Sequence, residues 1–69
     1  MSENNLKNTI KIQRAIKDLT QQQLADLVFV TRKTINTIET GKFVPSTVLA
    51  LKLAKVLDVK VEELFILEE

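Results

Sequence analysis

Two threonines eleven residues apart, Thr20 and Thr31, constrain this chain more than any other feature. Thr20-Gln21-Gln22-Gln23 has the form of a capping box: the Thr hydroxyl accepts from the backbone N–H three residues on, and Gln23 reaches back. The pattern predicts a helix starting at Gln21. At about 100° per residue, Leu27, Leu24, Val28 and Ala25 fall on one arc, and small Ala25 allows another helix to approach closely. Thr31 is the next good N-cap. Arg32 to Thr40 then make about two and a half turns, and Gly41 follows where a left-handed residue ends a helix. Only Phe29-Val30-Thr31 separate the two short helices. Two helices joined by a turn of three or four residues make a helix-turn-helix.

The rest of the chain supplies what such a pair packs against. Ile12, Ala15, Ile16 and Leu19 recur at i, i+3, i+4 and i+7, which predicts an amphipathic helix ending near Asp18. Its start is open, because Leu6, Ile10 and Ile12 also fit a short strand at period two. Gly41 and Pro45, the single Gly and single Pro, mark the clearest break. Ser46 caps a fourth helix, Thr47 to Leu57. Val56, Leu49, Leu53, Leu57, Ala50 and Ala54 cover one arc of it, while Lys52, Lys55 and Asp58 lie opposite with Leu51 on their side. A fifth short helix fits Val61 to Phe65, with Glu62 and Glu63 at its positive end. The expectation is an all-α fold of five helices with room for a short terminal strand. It forms one domain over residues 1–69, with 1–6 flexible and 66–69 a tail available for dimer contact.

Composition narrows the chemistry. There is no Cys and no His, which removes zinc fingers, thiol nucleophiles and histidine bases. No Gly-rich phosphate loop is present, and Glu62 and Glu63 point about 100° apart on a helix and do not converge. An enzyme, a metal and a cofactor are therefore not expected. The N-terminus has no signal pattern and no apolar run exceeds four residues, as in Leu27 to Val30 and Val48 to Leu51. A soluble cytoplasmic protein is expected, with no membrane partner. The net charge of +1 hides an asymmetry: residues 1–44 carry seven bases and four acids, residues 45–69 three bases and five acids. Any polyanion is met by the first part.

The third helix points to the polyanion. Arg32, Asn36, Thr40, Lys33 and Thr37 occupy one continuous face, and Thr34, Ile38 and Ile35 the other. Every residue on the first face can donate a hydrogen bond and none is acidic. Glu39 falls at the edge of the apolar face. A DNA groove offers acceptors on purines and phosphates on its walls. A merely solvated helix face would have a similar composition; the short turn and the two caps decide for DNA.

The stretch Leu19-Thr20-Gln21, Leu24-Ala25, Val30-Thr31-Arg32-Lys33-Thr34-Ile35, Ile38-Glu39-Thr40-Gly41-Lys42-Phe43, Pro45-Ser46 resembles the Xre family, the Cro and lambda-repressor type of helix-turn-helix. The similarity runs from about Lys7 to Phe65. It implies five helices with the third in the major groove. By position, Arg32, Lys33 and Thr37 face base edges, with Asn36 at the rim. Gln21 matches a position that meets phosphate or a base. Thr20 and Thr31 stand at helix N-termini, whose N–H groups suit phosphate oxygens. Lys42 reaches the backbone, and Thr40 joins the phosphate contacts. Arg14 and Glu39 match a partly buried ion pair between the first and third helices. Phe29 stands where the family often has Gly, a place that tends to want positive φ. Val48 stands where a polar residue is usual.

Leu51, Phe65, Ile66 and Leu67 are candidates for a dimer interface, since operators are read as two half-sites. The alternative for the last three is to fold back onto their own core. The function read here is a DNA-binding transcriptional regulator, a repressor acting as a homodimer on a palindromic operator. Concentration, a protein partner or competition for DNA would control it. The rival is a protein-interaction module of the same fold, such as an antitoxin or adaptor.

Overall fold

A computed structural model of the chain describes residues 5–68. Its elements are β1 (Leu6–Asn8), α1 (Ile10–Ile16), α2 (Gln21–Val28), α3 (Arg32–Glu39), α4 (Thr47–Leu57), α5 (Val61–Leu64) and β2 (Phe65–Leu67). β1 and β2 form an antiparallel pair in which Leu6 faces Leu67, Lys7 faces Ile66 and Asn8 faces Phe65. Asn5 and Leu6, expected in a flexible segment, are thus engaged: Leu6 opens β1, and the Asn5 carbonyl accepts from the Glu68 N–H at 2.7 Å. The rest of that expectation falls on residues 1–4, outside the described residues. The fifth helix stops one residue short of its predicted end, because Phe65 turns extended to start β2.

Side-chain caps start the three helices in which they were expected. Thr20 accepts from Gln23 N–H while Gln23 returns to Thr20 N–H, closing the box. Thr31 accepts from Thr34 N–H and Ser46 from Leu49 N–H. Each such cap typically contributes about 1 kcal/mol. The core gathers Ile10, Leu24, Ala25, Val28, Ile35, Ile38, Leu53, Ala54, Leu57 and Leu64, and Leu19, Leu49, Val56 and Phe65 pack on it. α2 lies between α3 and α4, and α4 leads through α5 to the hairpin.

Two apolar arcs are not buried as the periodicity suggests. On α1 the stripe of Ile12 and Ile16 faces solvent, 61% and 68% exposed, and Ala15 beside it is exposed too. The helix is turned so that Ile10 enters the core and Arg14 reaches Glu39 and the Leu19 carbonyl. A charged side chain that must find its partner inside the fold outweighs a two-isoleucine stripe. On α2, Leu24, Ala25 and Val28 are buried but Leu27 is exposed.

Phe29 ends α2 in the left-handed conformation, φ 63. For a side chain with a Cβ this costs roughly 1–2 kcal/mol. Burial does not return it, since the residue is 85% exposed. At a dilution where only single chains are present, Phe29→Gly should raise Tm by roughly 4–8 °C for each kcal/mol relieved. A thermal melt that moves downward would show that the turn does not carry this strain.

Candidate nucleic-acid interface

The packing of α3 decides what it can present. Ile35 and Ile38 are buried against α2 and the core, each contributing roughly 1.5–3 kcal/mol by its burial. That fixes the rotation of the helix and leaves Arg32, Lys33 and Asn36 exposed on the opposite side, with Thr37 half-buried beside them. The four residues expected to read bases are therefore brought together on one face. Lys33 enters none of the ion pairs among the described residues, so its ammonium is available to an outside acceptor.

One part of the expectation changes. Not every group on this face donates outward. The Thr37 hydroxyl donates back to its own helix, to the carbonyls of Lys33 at 3.0 Å and Thr34 at 2.9 Å. Thr40 does the same toward Asn36 at 3.0 Å. With the hydroxyl hydrogen turned into the helix, each threonine offers an acceptor and a methyl group. The outward donors are then Arg32, Lys33 and the Asn36 amide.

Gln21 is more occupied than its place at the start of α2 suggested. Its side-chain amide donates to Asn36 Oδ1 at 3.2 Å and to Glu39 Oε1 at 3.1 Å, and its carbonyl accepts from Arg32 Nη1 at 3.2 Å. One glutamine thus ties two residues of the outward face to a carboxylate beneath. That carboxylate is anchored in turn. Arg14 donates through Nε to Glu39 Oε2 at 2.6 Å and through Nη2 to Oε1 at 3.2 Å, while Nη1 donates to the Leu19 carbonyl at 2.9 Å. The two side chains retain only 14% and 7% exposure. The pairing expected between the first and third helices is present and bidentate, the geometry that makes such pairs strong.

Around this face stand the residues expected at phosphates. Thr20 and Thr31 are exposed caps at the starts of α2 and α3, and Lys42 is exposed just past Gly41, whose φ of 80 is the left-handed value a helix end needs. Asn8 is a contributor that the sequence did not disclose. Its Nδ2 donates to the Ile38 carbonyl at 2.9 Å while its Oδ1 accepts from Ile10 N–H at 3.1 Å. It pins the hairpin to the C-terminal end of α3. An Asn two residues before a helix is a capping residue type, but no sequence signal joins it to a carbonyl 30 residues away.

The candidates for a dimer contact divide. Phe65 is half-buried and packs on its own core, the fold-back alternative, whereas Leu51, Ile66 and Leu67 are exposed. Among the described residues no group of three His, Cys, Asp or Glu could hold a metal ion, and no helix is long and apolar enough to cross a membrane.

These features have counterparts in known proteins. The helix-turn-helix family profile matches residues 10–64. An uncharacterised HTH-type transcriptional regulator of Methanocaldococcus jannaschii is 48% identical over 64 residues, covering 93% of this chain and 97% of that protein. The uncharacterised HTH-type regulator YgzD of Bacillus subtilis is 45% identical with the same coverage of both chains. Among solved structures, the restriction-modification controller protein C.AhdI from Aeromonas hydrophila superposes with a TM-score of 0.72 at 35% identity, covering 78% of each chain. A DNA-binding protein candidate from Bacteroides fragilis superposes with a TM-score of 0.79 at 30% identity, covering 87% of this chain and 97% of that one. The capped helix pair, the outward basic face and these relatives place the chain in one group: it belongs to the Xre-type helix-turn-helix family of DNA-binding transcriptional regulators.

Proposed function

We propose that the protein is a repressor that binds a palindromic operator as a homodimer, with α3 in the major groove. One observation carries the reading. The outward face of α3 holds Arg32, Lys33 and Asn36 clear of the core, while the Gln21–Glu39–Arg14 chain braces that face from behind. Donors held in place before binding lose less freedom on binding, which favours specific contacts over loose attraction. Arg32 and Lys33 suit guanine O6 and N7, Asn36 offers its amide to an acceptor on a base edge, and the Thr37 methyl suits a thymine methyl. Thr20, Gln21, Thr31, Thr40 and Lys42 take phosphates, with Gln21 also orienting Arg32 and Asn36. Two such faces in successive major grooves stand about 34 Å apart. Leu51, Ile66 and Leu67 are the exposed apolar groups that pairing would cover. A dimer seated across a promoter represses by occluding polymerase.

Selection of duplexes from a random pool tests the whole reading. The expected product is an enriched inverted repeat with half-sites one helical turn apart, footprinted on one side of the duplex. A pool that shows no enrichment would move the chain toward the protein-interaction class. A finer test concerns Lys42. Binding should fall linearly in log K against log salt, and Lys42→Ala should weaken all sequences alike and reduce the slope by about one for each half-site occupied. An unchanged slope would remove Lys42 from the phosphate contacts.

A further inference from the structure

Phe29 is explained neither by folding nor by the reading of DNA. Its backbone is left-handed, a conformation that suits glycine, and its ring is almost wholly in solvent. The ammonium of Lys52 stands over the ring, 5.8 Å from its centroid. Lys52 sits on α4 beside Val48, one turn before it, and Leu51, and both of these are exposed. α2 packs on α4, and Lys52 links the two: it meets the Phe29 ring at the end of α2 and shares its stretch of α4 with exposed Val48 and Leu51. Lys52 and the next turn's Lys55 enter no ion pair among the described residues.

The complement of this surface is carried by the same chain. β2 is an edge strand of a two-stranded sheet, with Ile66 and Leu67 exposed and Glu68 next. The Glu68 carboxylate meets Lys7 at 3.7 Å with both side chains mostly in water, a pairing weak enough to exchange. The tail is therefore apolar and acidic where that surface is apolar and basic. We infer that Phe29 anchors an interface between two copies of this chain. Its surface with Val48 and Leu51 receives Ile66 of a second copy, Leu67 lying at the edge on the other face of the strand, and Lys52 faces that copy's Glu68. This rests on the homodimer reading above and adds the docking partner of the tail. Two reciprocal contacts of this kind close on themselves, as a two-fold dimer requires. A strained, exposed aromatic ring is then retained because aromatic side chains seated in a covered patch dominate interface energetics.

Sedimentation equilibrium of the full chain tests it, with Phe29→Gly, Phe29→Asn, Lys52→Glu, Glu68→Lys and the double variant Lys52→Glu/Glu68→Lys. Circular dichroism melts at high dilution confirm that each is folded. The expected result is self-association of the wild type and a dimer Kd raised at least tenfold by Phe29→Gly. Phe29→Asn, which tolerates the same backbone, should do likewise. Each single charge reversal should raise the Kd several-fold, and the double variant should recover most of the loss. A monomeric wild type, an unchanged Kd in Phe29→Gly, or a double variant no better than the singles overturns the proposal. A titration with a half-site duplex keeps the two readings apart. Phe29→Gly that binds the half-site but no longer self-associates supports the interface. Wild type that self-associates through this surface yet binds no duplex also supports it, and defeats only the operator reading.

Discussion

Removing either member of the Arg14–Glu39 pair should cost about 3–5 kcal/mol. A domain of 69 residues has roughly 3–10 kcal/mol in all, so Arg14→Ala or Glu39→Ala alone should remove from about a third of the stability to all of it. The reason is what remains behind. With Arg14 gone, Glu39 keeps only the Gln21 amide, at 3.1 Å, for a carboxylate that is 7% exposed. With Glu39 gone, the guanidinium keeps only the Leu19 carbonyl. An ion held out of water with one hydrogen bond is far costlier than a missing neutral contact. The double variant should be less damaged than the two losses added, because no lone charge is left. An apolar pair such as Arg14→Met with Glu39→Leu should approach wild-type stability. Urea melts of the four proteins would check this, and two silent single variants would show that the pair holds nothing together. The apolar pair has a second consequence: Gln21 loses an acceptor, so a stable double variant should still read its operator less sharply.

How much of this could be read from the sequence depends on how local the cause is. The caps of α2, α3 and α4 were legible because Thr20, Thr31 and Ser46 act on N–H groups three residues away. The end of α3 at Gly41 was legible for the same reason. The left-handed Phe29 shows in the sequence only through its place in the family pattern. Asp18 and Asp58, at φ 58 and 59, carry no such sign beyond their residue type, Asp being among the residues that tolerate this region. What failed was the facing of α1. Its apolar period pointed Ile12, Ala15 and Ile16 inward, but a contact 25 residues away, Arg14 to Glu39, turned the helix. Periodicity records which residues share a face and is blind to which face wins. The hairpin was half legible: Leu6 fitted a strand, but its partner Leu67 is a distant pairing. The outward face of α3 was legible as a set of residues. The bracing glutamine and the inward-turned threonine hydroxyls were not, because both depend on where side-chain atoms find partners.

The separation of reading from holding gives the other large effect. Ile38 is 1% exposed at the centre of the inner face of α3, and Ile38→Ala should cost roughly 2–5 kcal/mol through lost burial and the cavity left behind. Lys33 is exposed and forms no ion pair among the described residues. Lys33→Ala should therefore leave Tm within about 2 °C of wild type, as surface changes do. Thr37→Ala should behave the same, because the hydroxyl it loses bonds only within its own helix and leaves no partner unsatisfied outside it. On DNA the order reverses. A bidentate contact to guanine discriminates by about 1–3 kcal/mol, so Lys33→Ala should narrow the ratio between operator and random duplex by roughly 5- to 150-fold. Thr37→Ala should relax the preference by less, as a methyl contact would. Ile38→Ala, measured where enough of it is folded, should keep the wild-type ratio while its apparent affinity falls by the unfolded fraction. All ratios must be taken at one salt concentration, since the phosphate contribution shifts both duplexes together. Full discrimination retained by both Lys33→Ala and Thr37→Ala would mean that α3 does not read the groove. The outward face would then have to be assigned to a protein partner.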